Sequence, residues 1–523
     1  LLLKKQSNLF EFSFIKKYLT PQRKQLSVSL IALLSVAVIT LVVWLVVVFL
    51  SVTEGLEKTW TRKLTALNAP LRLQPTEQYF SSYYYNVDRY SAASDYLSKT
   101  IGQKASSLLS NPYDPEVDEE LPPFLASPDL DESGNLRDPI KGAYEVLEAL
   151  GSSVKGLTFQ DVEMSGALLR LEMIRQDQGL MEMQSQLTNV SYLASFSNKN
   201  PHFEELILPA RTEDLQNLNY IKHRFNLALN FAHSNTLPQS DSHSGVLVAK
   251  NFRDSGVRIG DRGYIAYSST GITGTREIHL PVYVAGFYDP GIMAVGNKCI
   301  LVPSKITRAV NASESAFTLD RSEANNIFVW LPNLKDVTKM KAAILEKLQE
   351  KGIAKYWKVQ TFREYDFAKD LMQQFESDKY LFSLIGIIIL IVGCTNIISL
   401  LVLLVSDKKR EIGILQAMGA KRRSIAAIFA FSGASLGLFS CLLGLFLAFI
   451  TLKNIDHVVA FLSMLQGHEA FNAQFFGQSL PHEISPRALL FAAIATPILA
   501  LVAGLFPAIK AARLNPCETL RSE

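Results

Sequence analysis

The run YLFSLIGIIILIVGCTNIISLLVLLVS, Tyr380 to Ser406, contains no Asp, Glu, Lys or Arg. A hydrocarbon core of roughly 30 Å takes about 20 helical residues to cross, since each adds about 1.5 Å. Soluble helices of that length carry a polar face, so a charge-free run predicts a membrane span. Working outward, Leu26 to Thr53, Ser424 to Leu452 and Ala488 to Ile509 meet the same test. The last is the shortest, with Pro497 near its middle and Pro507 at its end, and neighbouring helices must satisfy the carbonyls those prolines free. The first follows Lys16, Lys17, Arg23 and Lys24 as a signal peptide would, but it far exceeds the about 7–15 apolar residues of such a peptide and reads as a retained anchor.

Basic loops stay in the cytoplasm. Residues 1–25 are basic, the loop 407–423 carries Lys408, Lys409, Arg410, Lys421, Arg422 and Arg423, and the tail 510–523 adds Lys510, Arg513 and Arg521. The loop 453–487 is nearly free of positive charge between its ends. Both termini are therefore predicted to be cytoplasmic, with residues 54–379 outside. The expected fold class is an all-α four-helix transmembrane bundle with a large α+β extracytoplasmic domain inserted between the first and second spans.

The chain has 523 residues and a formal net charge of +3. Its basic clusters sit beside the spans, where orientation already accounts for them, so nucleic-acid binding has no support. Of the four cysteines only Cys299 falls outside the membrane and cytoplasm, so the outer domain is expected to be held by its core rather than by an internal disulfide. The histidines show no ligand spacing; His482-Glu483 lacks the second histidine of a zincin helix, Pro486 standing there instead. No metal site and no catalytic constellation is predicted.

Within the outer region, Gln74 to about Gly142 is rich in Tyr, Ser, Asp and Pro and reads as surface loop. Strand-like alternation follows in Ala167–Ile174, Val246–Ala249, Tyr264–Ser268, Pro281–Phe287 and Cys299–Val302. A βαβ-type unit closes the α+β part, 245–362: strand Ile327–Leu331, a helix capped by Asn333 with Val337, Met340, Ile344 and Leu348 on one face and ended by Gly352, then strand Tyr356–Thr361. Leu56, Trp60 and Leu64 continue the first span at helical spacing, and Phe367, Leu371 and Phe375, in the segment 363–379, lead into the second. Both spans are expected to extend outward as a paired stalk, or equally to pack simply against the outer domain.

The loop Asp407-Lys408-Lys409-Arg410-Glu411-Ile412-Gly413-Ile414-Leu415-Gln416-Ala417-Met418-Gly419-Ala420-Lys421-Arg422 places Ile412, Leu415 and Met418 or Gly419 on one face of a short helix with charged ends. Such a helix suits the membrane interface or a partner's groove. Lys-Arg-Glu-Ile-x-Ile-Leu-x-x-Met-Gly-Ala directly after a span resembles the signature of FtsX/MacB-type permeases of ABC transporters. Phe506-Pro507-Ala508-Ile509-Lys510-Ala511-Ala512-Arg513-Leu514-Asn515-Pro516-Cys517-Glu518-Thr519-Leu520 resembles the ending of the same family. Phe14-Ile15-Lys16-Lys17-Tyr18-Leu19 and Leu50-Ser51-Val52-Thr53-Glu54-Gly55-Leu56-Glu57 are similar to the start of its lipoprotein-releasing branch, LolC and LolE. Gly256-Val257-Arg258-Ile259-Gly260-Asp261 and Trp357-Lys358-Val359-Gln360-Thr361-Phe362 are similar to pieces of that branch's outer domain. Residues 74–235 match poorly and read as an insertion or a diverged first subdomain.

The resemblance implies a non-catalytic permease subunit that works with a second permease, identical or homologous, and a separate LolD-like ABC ATPase. This chain lacks a Gly-x-x-x-x-Gly-Lys-Ser/Thr phosphate loop, so ATP and Mg²⁺ would be held by that partner and no cofactor by this chain. Lys409, Arg410, Glu411, Ile412, Leu415, Met418 and Gly419 would contact the ATPase. A lipoprotein would leave the outer leaflet of the bacterial inner membrane for a LolA-like periplasmic carrier. The carrier-capturing loop of LolC corresponds to Ser269–Leu280, which is short and offers only Arg276. The alternative is an FtsX-like signalling subunit that activates a cell-wall hydrolase.

Overall fold

Short helical turns aside, the elements in chain order are α1 (Leu26–Asn68), β1 (Leu71–Pro75), α2 (Pro139–Ser153), β2 (Thr158–Gln176), β3 (Glu182–Ser195), β4 (Ile207–Leu208) and α3 (Thr212–Phe225). Next come β5 (Ser244–Ala249), β6 (Arg262–Gly271), β7 (Gly274–Tyr288), β8 (Cys299–Val302), α4 (Ser304–Ala312), β9 (Asn325–Trp330), α5 (Val337–Glu350) and β10 (Trp357–Thr361). The chain closes with α6 (Asp366–Asp407), α7 (Lys409–Ala417), α8 (Arg422–Lys453), α9 (Ile455–Gln466) and α10 (Pro486–Ala512). This computed structural model describes residues 26–176, 182–233, 236–240, 242–271, 274–290, 298–313, 324–467 and 484–513. Two units result, Leu1–Thr59 with Leu371–Glu523, and Trp60–Asp370.

In the first unit α1, α6, α8 and α10 are each long and apolar enough to cross a membrane. Their shared core holds Val43 and Val47 from α1, Ile397 and Leu401 from α6, Cys441 and Ala448 from α8, and Ala492 and Ala500 from α10. Close approach rests on small residues, as expected where no hydrophobic force separates helix from lipid. A Cβ at Gly437 would stand 2.2 Å from the Ala500 Cβ, and one at Gly444 would stand 2.8 Å from the Thr40 carbonyl oxygen. Polar clasps add to this: Trp44 Nε1 donates to Thr451 Oγ1 at 2.8 Å, and Ser485, the cap of α10, bonds the Glu54 carboxylate. Outward, Leu384, Ile388, Phe439, Leu442, Phe446, Leu490 and Ile498 are exposed, an apolar perimeter that suits lipid better than water. The segment 453–487, expected to be a plain loop, opens with α9.

The second unit has two halves. In one, the strand order β10-β1-β9-β2 is antiparallel throughout, with α2 following β1 and α5 joining β9 to β10. This is the split βαβ, ferredoxin-like arrangement. The expected apolar face of α5 is the buried one: Val337, Met340, Ile344 and Leu348. Asn333 caps the single 3-10 turn before that helix rather than the helix itself. In the other half the ladder returns on itself: β2 pairs β3, β3 pairs β8, β8 pairs β5, β5 pairs β7, β7 pairs β6, and β6 pairs β2. The pairings close a ring whose core includes Leu169, Leu171, Val246, Val248, Ile265, Val282, Val284 and Ile300. Gly263 is obligatory at the β2–β6 crossing, where a Cβ would meet the Arg170 carbonyl oxygen at 1.9 Å.

The five alternating segments fall inside observed strands, while Ile327–Leu331 and Tyr356–Thr361 overrun β9 and β10 by one residue each. Within residues 74–235, read as an insertion or a diverged first subdomain, β2 and β3 are integral strands of the sheet, pairing with β9, β6 and β8. Gln74 to Gly142 is also more ordered than its composition suggests. Tyr79, Tyr83 and Tyr84 are buried, Ser91 Oγ donates to the Pro112 carbonyl at 2.7 Å, and buried Lys104 pairs with buried Asp88 at 2.5 Å.

Candidate functional site

The chain leaves α6 at Asp407 and turns at once into α7. Ile412 donates its N–H to the Lys408 carbonyl at 3.0 Å, and the Lys408 ammonium bonds Glu411 at 2.8 Å, closing the first turn. The last turn ends in a left-handed residue. Gly419 has φ +95°, its N–H bonds the Gln416 carbonyl, and the Ala420 N–H reaches back to the Leu415 carbonyl at 3.0 Å. That pattern is a Schellman cap, and it supplies a physical reason for Met-Gly-Ala at this place.

Ile412 is only 1 % exposed. It sits in a cluster with Leu404 and Val405 of α6, Ile425 and Phe429 of α8, and Ala508 and Ala511 of α10. One side chain thus bolts the short helix to three long ones. A close-packed contact of this kind transmits displacement rather than absorbing it. Ile412 therefore anchors the helix from its inward face. Lys409, Arg410, Glu411 and Gly419 are exposed, Leu415 is half-buried and Met418 is 73 % exposed. Ile414, missed in the sequence reading, is 43 % exposed and stands one turn before Met418. Its i, i+4 relation to Met418 was the available signal. Exposed Lys421, Arg422, Arg423, Lys510 and Arg513 give the surrounding surface a basic character.

The six expected stalk residues are divided between the units, with Leu56, Leu371 and Phe375 in the first and Trp60, Leu64 and Phe367 in the second. Leu64 is buried, while Leu56, Trp60 and Phe375 are half-buried. Arg276 is exposed on β7, opposite Ser269 of β6. The stretch Ser269–Leu280 forms the arms of a β-hairpin rather than a loop, with residues 272–273 outside the described ones.

Residues 383–516 match the family model described as FtsX-like permease C-terminal. The chain is 31% identical over 137 residues to the lipoprotein-releasing system transmembrane protein LolE of Haemophilus influenzae, a stretch covering 26% of this chain and 33% of that one. It is 25% identical over 242 residues to LolC of Neisseria meningitidis serogroup B, covering 46% and 55%. It is 27% identical over 221 residues to the macrolide export ATP-binding/permease protein MacB of Pasteurella multocida, covering 38% and 31%. The chain spans about a third to a half of the length of these curated relatives. It therefore carries an FtsX-like permease domain whose homologues are LolC, LolE and MacB permeases of ABC transporters, and that domain contains α7 and its buried anchor.

Proposed function

We propose that this chain is the membrane subunit of an ATP-driven transporter that lifts lipoproteins out of the outer leaflet of the bacterial inner membrane. The observation that carries the reading is α7, capped at its end by Gly419, anchored by Ile412 to α6, α8 and α10, and presenting Ile414, Met418 and a basic rim outward. A separate ABC ATPase, holding ATP and Mg²⁺, seats on that outward face. Its closure on ATP displaces α7 and, through Ile412, the helices packed on it. A second permease subunit completes the pair, and the helical extensions at Leu56–Leu64 and Phe367–Phe375 act as stalks that carry the movement to the outer unit. A periplasmic carrier takes the lipoprotein, with Arg276 on the β6–β7 hairpin as its candidate contact.

Similarity to LolC and LolE supports lipoprotein as cargo, and the large outer unit favours transport over signalling. The test is reconstitution of the chain with its ATPase in proteoliposomes holding a triacylated lipoprotein. Release of the lipoprotein that depends on ATP is expected. ATP turnover without release, coupled to activation of a cell-wall hydrolase, would establish the signalling alternative.

A further inference from the structure

The helix α9 follows α8 after the single residue Asn454 and is almost wholly uncovered among the described residues. Among its side chains only Ile455 is buried, while Phe461 is 61 % exposed, Leu462 38 %, Met464 83 % and Leu465 70 %. At helical spacing Val458, Phe461, Leu462, Met464 and Leu465 share one half of the circumference, and Asp456 and Ser463 lie opposite. Water is a poor solvent for such a face, and twelve residues are too few to cross a bilayer. An apolar segment of that length is a core helix, a re-entrant piece or an interfacial one, and its exposure excludes the first.

We propose that α9 lies in the headgroup–acyl boundary of the leaflet in which α8 ends, and that its occupant is lipid. Continuity argues for this partner. The exposed apolar perimeter of α8, including Phe439, Leu442 and Phe446, runs up to Thr451, which Trp44 of α1 holds at 2.8 Å. Lys453 and Asn454, both exposed, mark the end of that perimeter, and α9 begins immediately beyond them. Its αL cap at Gly467 ends the helix before it can return to the bilayer interior. The helix thereby fixes the depth at which the α1–α8 clasp sits. This inference rests on the reading of α8 as a membrane span.

The experiment uses the full chain in proteoliposomes with Cys517→Ser as background, since the three described cysteines are buried. Fluorophores are attached at Phe461→Cys, Met464→Cys, Asp456→Cys and, as a control in the middle of α8, Leu442→Cys. Quenching is compared for lipids carrying a nitroxide near the headgroup, lipids carrying one near the chain end, and a water-soluble quencher. Labels at Phe461 and Met464 should be quenched at least twofold more by the shallow nitroxide than by the deep one, with Asp456 favouring the aqueous quencher. Equal aqueous quenching at Phe461 and Asp456 overturns the inference, and so does shielding of Phe461 from all three quenchers, which would mean that protein covers the helix. If Leu442 is not quenched by the deep nitroxide, the span itself is wrong and the failure lies there.

Discussion

The Lys379 ammonium stands 2.9 Å from the Glu57 carboxylate, joining α6 to α1 just past the stretch where both helices are uniformly apolar. Both side chains are partly exposed, so solvent screens the pair and its contribution to stability is at most about 1 kcal/mol. Its value is registration of two helices. Glu57→Lys should leave the thermal midpoint within a few degrees of wild type yet lower ATP-driven release several-fold, and adding Lys379→Glu should restore much of it. Release unaffected by the single substitution would remove the pair from the mechanism.

Anchor and contact on α7 are separable by substitution. Ile412→Ala removes a buried side chain and should cost about 2 kcal/mol or more of stability. Met418→Asp with Glu411→Lys loses the partly exposed Lys408–Glu411 pair and should lower stability by no more than about 1 kcal/mol while abolishing co-purification with the ATPase. Adding Ile414→Asp should give no less a loss. Intact co-purification of the Glu411, Met418 variant refutes the docking face.

Gly419 tests the cap. Nothing lies within 4 Å of a Cβ built there, so any penalty comes from φ +95° alone. Gly419→Val should destabilise the helix end by about 1–2 kcal/mol, whereas Gly419→Asn, which accepts the left-handed region, should cost less. Comparable hydrogen-exchange protection in α7 for both variants would show that the cap is dispensable.

Asp129 sets a pH dependence in the second unit. Burial pushes its carboxyl up, but hydrogen bonds from Lys355 and Tyr356 and the charges of Lys355 and Arg137 outweigh this and hold it below the usual carboxylate value. A depressed folded-state pKa contributes stability present above the unfolded value and lost as pH falls through the folded one. Protection of residues 129–137 should therefore be constant near neutrality and decline below about pH 4. Asp129→Asn should flatten that decline, and an unchanged acid profile in the variant would assign the effect to another group.

The Gly437–Ala500 contact between α8 and α10 leaves no room for a side chain. Gly437→Leu should force the two helices apart and cost about 1–3 kcal/mol, read as earlier thermal unfolding in detergent, while Gly467→Ala at the end of α9 should leave the bundle's midpoint unchanged.

What could be read beforehand follows from how each element is stabilised. Charge-free runs mark α1, α6, α8 and α10 because lipid solvates every face, and Val337, Met340, Ile344 and Leu348 mark α5 because a single apolar face meets a sheet. The region around Tyr79 to Asp118 was illegible for the opposite reason. Its order comes from side chains bonding nearby backbone, as Ser91 does with Pro112, and such bonds leave no periodicity. The closure of β6 on β2 joins residues about a hundred apart, such as Leu168 and Ala266, which no local pattern encodes. On α7 the helix itself was evident, but its periodicity alone could not tell that Ile412 turns inward and Ile414 outward, since both ends of the choice are apolar. Likewise the apolar run of α9 follows a span so closely that no pattern in the sequence separates it from the loop 453–487.

Strand β2 serves two structures with one backbone: Thr158–Glu163 pairs with β9 in the ferredoxin-like half, and Leu168–Glu172 pairs with β6 in the closed ring. Side chains alternate along it without a break, so the two halves share a parity. Inserting one residue between Glu163 and Leu168 would turn Leu169 and Leu171 out of the ring if the first half kept its register, whereas inserting two would preserve both faces. Length changes in that short stretch are admissible only in even steps, and the folding of one half dictates which way the other must face.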